Sequence, residues 1–129
     1  MKLHTQDLAS SAATLQSAHG WHQQWKDRLL EAVSSGATID TSAITRDDCC
    51  ELGQWLHSDG QRLFWGQPEF QNLLIHHREF HLLTGAVAEI INAKQFALAQ
   101  AYLSNETQLA HASREVDNAI SQLEVAVAR

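Results

Sequence analysis

The sequence predicts an all-α protein, a four-helix bundle with one short helix among three long ones. Three observations predict it. Apolar residues recur at steps of seven, or of three and four in alternation, along three long stretches. Only one proline (Pro68) and six glycines interrupt 129 residues, and so few breakers favour long helices. Hydrophobic residues make up 44% and charged residues 19%, the balance of a folded domain with a core of its own. No internal repeat, linker or low-complexity segment divides the chain, which reads as a single domain over residues 1–129.

The first helix is expected over about residues 5–34. Leu8, Leu15, His22 and Leu29 recur at intervals of seven, and Trp25 sits three beyond His22 on the same side. His22 thus takes a slot that the pattern gives to core side chains. Gly36, in the loop that follows, suits a C-cap. A short helix is expected near residues 47–58, capped by Thr45 or Asp47 and carrying Cys50 in its first turn. Free amides and the positive end of the helix dipole there favour a thiolate. Gly53 costs roughly 1 kcal/mol inside a helix and fits a close approach of a neighbouring backbone. Residues 61–67, with Phe64 and Trp65, read as a loop packed on the body. Pro68 and Glu69 open the third helix. Phe70, Leu74, His77, His81, Thr84, Ala88 and Ile91 form its seam. After a turn near residues 92–94, the fourth helix runs from about residue 95 to the end. Tyr102, Leu109, Val116 and Leu123 recur at seven, flanked by Ile120 and Val127.

Composition excludes several classes. Net charge is −6 with histidine neutral, and no basic patch stands out, so nucleic acid is not an expected partner. No apolar run approaches the ~18 residues that a membrane span needs, and residues 1–5 lack a signal-peptide core. Adjacent cysteines are not a disulfide framework, which points to a reducing cytoplasm.

The chemistry lies in three short motifs: His22-Gln23-Gln24-Trp25, Cys50-Glu51-Leu52-Gly53-Gln54-Trp55 and His77-Arg78-Glu79-Phe80-His81. Together they offer one thiol and three imidazoles, the complement of a closed tetrahedral zinc site. Each motif alone is weak. A His-x-x-x-His pair arises by chance among eight histidines, and a lone histidine on an apolar stripe is usually a hydrogen-bonded core residue. A cysteine near a helix start is usually a small buried hydrophobe. Jointly they say more. Burying three imidazoles and a thiol with no common partner carries a large desolvation cost, and one shared cation removes it. His4, His19, His57, His76 and His111 read as surface residues, with His57 or His76 as candidates to orient a ligand from behind.

The three motifs, in this order and at these separations, resemble the chemoreceptor zinc-binding domain family, which is about as long as this chain. The resemblance implies a helical bundle in which His22, Cys50, His77 and His81 bind one zinc ion, with Trp25, Leu52, Gly53 and Trp55 as motif support. It also implies a bacterial cytoplasmic setting, a homodimer, and control of a partner module such as a diguanylate cyclase or a chemotaxis receptor. Cys49 beside the expected ligand is not part of the family signature.

The resulting expectation is a zinc-binding sensory domain with no catalysis of its own, responsive to metal or to oxidation of Cys50. The rival readings are a zinc-stabilised dimerisation module, a Cys/His metalloenzyme and a di-iron bundle. The metalloenzyme lacks an orienting third group and an open zinc position, and the di-iron bundle lacks core carboxylates, since Glu79 lies off the His77/His81 stripe. With no nucleotide loop or second fold in sight, the chain reads as a sensory domain cut from a longer protein or as a stand-alone member. Its early methionine favours the stand-alone form or an N-terminal position in a cyclase-type parent.

Overall fold

A computed structural model describes residues 5–19, 21–44, 46, 50–104 and 108–128, with the side chains of residues 21–23, 42 and 43 left aside. The described residues hold eight helices and no strand: α1 Thr5–Ala18, α2 Trp21–Ser35, α3 Thr41–Ile44, α4 Glu51–Leu56, α5 Asp59–Phe64, α6 Pro68–Asn92, α7 Phe96–Tyr102 and α8 Gln108–Ala128. The expected all-α bundle is what forms, with the candidate cysteine at the head of the short helix α4.

The spine is α6, 25 residues without a break and with Pro68 at its first turn. Its seam faces inward as the four-and-three spacing requires: Phe70, His77, His81, Thr84, Ala88 and Ile91 are buried, and Leu74 is half-buried. The partner α8 packs along α6 and also against α1. Leu109, Val116, Ile120, Leu123 and Val127 turn into that interface.

The observed elements depart from the expected ones in four places. One is α3, Thr41–Ile44, which forms where no helix was expected. The first long helix is divided into α1 and α2 at the turn that holds His19; the sequence has glycine at position 20, a poor helix former. The segment expected to be a loop is the helix α5, with Phe64 buried against Trp55. Gly60 makes that possible, because a Cβ there would lie 2.8 Å from the Trp55 carbonyl oxygen. The last helix is also divided. α7 ends at Tyr102, which is 42% exposed, and the apolar side chain that turns inward is Leu103.

The connection after α2 is tied to the far end of α6. Gly36, at φ 72°, ends α2 as expected. The Ile39 amide donates to Asn92 Oδ1, and Asn92 Nδ2 donates to the Ile39 carbonyl, both at 2.7 Å. Lys94 Nζ donates to the Gly36 carbonyl at 3.0 Å. This clasp holds the run into α3 against α6, and α3 ends at Ile44, beside the candidate site.

Candidate metal centre

Cys50 is the N-cap of α4 rather than a residue of its first turn. Its backbone is extended (φ −80°, ψ 165°), and Sγ accepts from the Gly53 amide at 3.2 Å. That contact and the positive helix end favour the thiolate, the physical outcome expected from the sequence by a slightly different register. The other motif residues hold α4 in place. Leu52, Gly53 and Trp55 are buried. The Trp55 ring lies 6.0 Å from Phe64 and 6.2 Å edge-on from Phe70, so α4 is wedged between α5 and the start of α6.

His77 and His81 lie one turn apart on α6 and are almost wholly buried, at 0% and 2% exposure. His81 Nδ1 lies 2.8 Å from the Ile44 carbonyl oxygen. A carbonyl only accepts, so Nδ1 carries the proton and Nε2 keeps a free lone pair. That lone pair faces the other two donors. Cys50 Sγ is 3.2 Å from His77 Nε2 and 3.4 Å from His81 Nε2, and the two Nε2 atoms are 3.1 Å apart. Zinc at its usual bond lengths of ~2.3 Å to sulfur and ~2.05 Å to nitrogen would space tetrahedral ligands about 3.3–3.6 Å apart. The observed triangle comes within about 0.4 Å of those edges. The donor set is also right in kind: one soft thiolate, two borderline imidazoles, and a backbone carbonyl behind one of them, as is usual for a metal-binding histidine.

Cys50, His77 and His81 are the only such group of potential ligands among the described residues. The start of α2 carries His22, but its side chain lies outside the described residues, as do Cys49 and His4. Trp25 is half-buried with the Arg28 guanidinium 5.0 Å from its ring centre. His57 is exposed and His76 faces Glu115 at 3.9 Å. His111, exposed as expected, faces Glu115 too. The group behind the His81 ring, the Ile44 carbonyl, has no signature in the sequence because it is a main-chain oxygen. The only readable hint was a short apolar turn before Cys50.

His19 was read as an ordinary surface residue. It is instead about one-third exposed, with Nε2 2.6 Å from Glu124 Oε1 and Nδ1 3.6 Å from Asp117 Oδ1. Burial raises the Asp117 pKa above its usual 3.8, and the attraction and hydrogen bond of His19 oppose that shift.

A helical bundle that brings a thiol and two imidazoles to one buried point defines a class, the small all-α metal-binding domain. The family follows from comparison: residues 22–88 match the model of the chemoreceptor zinc-binding domain, and the chain belongs to that family. The match begins at His22 and covers the three motifs. No curated protein and no solved structure matches the chain. This is therefore a zinc-binding domain, with a cluster of Cys50, His77 and His81 that could hold the ion. No helix among the described residues is long and apolar enough to cross a membrane.

Proposed function

We propose that the chain is a zinc-responsive regulatory domain, one unit over residues 1–129, with no catalysis of its own. One observation carries this reading: Cys50 Sγ and the Nε2 atoms of His77 and His81 converge within 3.4 Å in a chain of a zinc-binding family. His22 is the fourth ligand in this reading, and four protein ligands leave no position for the water that a catalytic zinc keeps. Bound zinc supplies a tetrahedral cross-link. Cys50 contributes α4 to it, His77 and His81 contribute α6, and His22 contributes α2. When the ligands separate, α2 and α4 are free to shift against α6. That shift passes along the bundle to an output module of the diguanylate cyclase or chemoreceptor type, or to a second copy.

Two finer parts belong to the same proposal. The first is a homodimer in a bacterial cytoplasm. Ile75 and Leu82, seven apart on α6, are 58% and 55% exposed, and Leu98 and Tyr102 of α7 are exposed as well, apolar surface that a second copy would cover. The second is a redox response. The Cys50 thiolate attacks an oxidant such as hypochlorous acid, the sulfur is oxidised to a sulfenic acid, and chloride leaves. The neutral product is a poor ligand.

The test is metal analysis of protein purified without chelator, followed by chelator removal and readdition. One zinc per chain, removed and restored with the fold intact, supports a sensor. No uptake of any transition metal overturns the reading. Zinc that leaves only when the chain unfolds makes the domain a structural dimerisation module instead. Cys50 found oxidised by mass spectrometry with zinc still bound removes the redox part alone.

A further inference from the structure

Outside the candidate centre, a polar cluster forms around His19. It ties the joint between α1 and α2 to α8. Glu124 and Asp117 lie seven residues apart on α8, two turns along one face, and each faces a different nitrogen of the same ring. The contact with Glu124 is the short one, at 2.6 Å with both side chains about one-third exposed. The joint it holds lies three residues ahead of His22. The other candidate ligands are placed by buried packing, α4 through Trp55 and α6 through its seam. Just ahead of the start of α2, the His19–Glu124 contact adds a polar tie to α8.

We propose that His19 is a positioning residue for the metal centre: its contact with Glu124 fixes the start of α2, hence the His22 backbone, and couples zinc occupancy to α8. The inference rests on the four-ligand zinc reading above and goes beyond it. It gives a role to a helix outside the family match, which ends at residue 88. α8 packs against both α1 and α6, so it is placed to carry the state of the centre along the bundle.

The experiment is a competitive chelator titration of the full chain with zinc. It compares the parent with His19→Ala, His19→Gln and Glu124→Ala, each alone and in a His22→Ala background. His19→Ala is expected to weaken zinc binding about tenfold, the low end of the range for residues that orient metal ligands from behind. His19→Gln retains an amide donor near the place of Nε2 and should stay within about twofold of the parent. In the His22→Ala background, His19→Ala should have no further effect, because the ligand it positions is already gone. A second readout separates coupling from mere stability. Zinc should slow hydrogen exchange of α8 amides in the parent, and in His19→Ala saturated with zinc that protection should be lost.

Unchanged affinity in His19→Ala, or an equal loss with and without His22, overturns the positioning role. So does α8 protection that survives the substitution. If His19→Ala fails to fold, Glu124→Ala carries the same expectation and the same refutation. A parent that takes up no zinc, or a Cys50→Ala variant that binds as tightly as the parent, overturns the underlying zinc reading instead.

Discussion

Between the head of α4 and the middle of α6, Cys50 Sγ and the Nε2 atoms of His77 and His81 converge, all within 3.4 Å of one another. At the joint of α1 and α2, His19 turns one nitrogen to Glu124 and the other to Asp117. Both clusters pair histidine with anionic partners at helical spacings, yet only the first can share a cation. A metal ion needs lone pairs that converge. The Ile44 carbonyl enforces this by holding the proton on His81 Nδ1, so that Nε2 turns a lone pair toward Cys50 and His77. Around His19 the donors diverge, and the imidazole itself is the cross-link. Burial separates the clusters too: His77 and His81 are nearly inaccessible, whereas His19 and its carboxylates are about one-third to one-half exposed and screened by solvent.

The largest difference should appear on removal of one group from each cluster. Cys50→Ala should weaken zinc binding by more than about 100-fold, beyond the usual range for residues outside the ligand set. Glu124→Ala should weaken it about tenfold, and Cys49→Ala hardly at all. A chelator titration that ranked Cys49 above Cys50 would place the thiol ligand one residue earlier and break the comparison at its first term.

Acid gives the next largest effect. Imidazole must be neutral to bind metal, and protons compete for Nε2. Free imidazole titrates near ~6.5, so zinc affinity should hold at neutral pH and fall steadily as pH drops below about that value. A zinc indicator can follow the release. Retention undiminished down to about pH 4 would mean that His77 and His81 are not ligands.

How far these two regions could be read in advance differs for physical reasons. The α6 seam was legible because burial imposes a period, and that period placed His77 and His81 on the inner face with Phe70, Thr84, Ala88 and Ile91. Cys50 was legible through its motif, although its capping position lay a residue or two outside the expected turn. The breaks at His19 and after Tyr102 were not: the heptad of Leu15 and Leu29 runs on across the first, and at the second Leu103 turns inward in place of the heptad residue Tyr102. α5 was hidden because Gly60 and Trp65 look like loop residues until Trp55 is known to fill the space over Gly60. The His19 tie joins residues 105 apart in sequence, and no local spacing announces a pair so distant.

Gly60 sharpens the contrast between a centre held by packing and a tie held by charge. A Cβ at this position would meet Trp55 carbonyl oxygen and ring atoms at 2.8–2.9 Å, closer than folded proteins allow. The backbone oxygen cannot rotate away as a flexible side chain would. Gly60→Ala should therefore cost about 1–3 kcal/mol in denaturant unfolding of the zinc-free chain. It should also weaken zinc binding, since Trp55 seats α4 and α4 carries Cys50. A stable variant with unchanged affinity would show that α4 adjusts freely and that packing does not place the thiol.

The smallest expected effect belongs to Asp117. Burial raises its pKa above 3.8, so the native state holds the carboxyl proton more tightly than the unfolded chain does. The sign follows from linkage: a native state that binds more protons loses stability as pH rises through the native pKa, and the penalty is absent below the unfolded one. His19 pulls the other way, but its attraction is the lesser cause. Asp117→Asn removes the titrating charge. The zinc-free variant should be marginally more stable than the parent at neutral pH, by less than about 0.5 kcal/mol for so exposed a group. The gain should vanish in acid as the parent carboxyl becomes neutral. Thermal unfolding of the two proteins across this pH range measures it. A variant less stable at neutral pH, with the deficit shrinking in acid, would mean that the His19 attraction outweighs burial, making Asp117 a full partner in the tie to α8 beside Glu124.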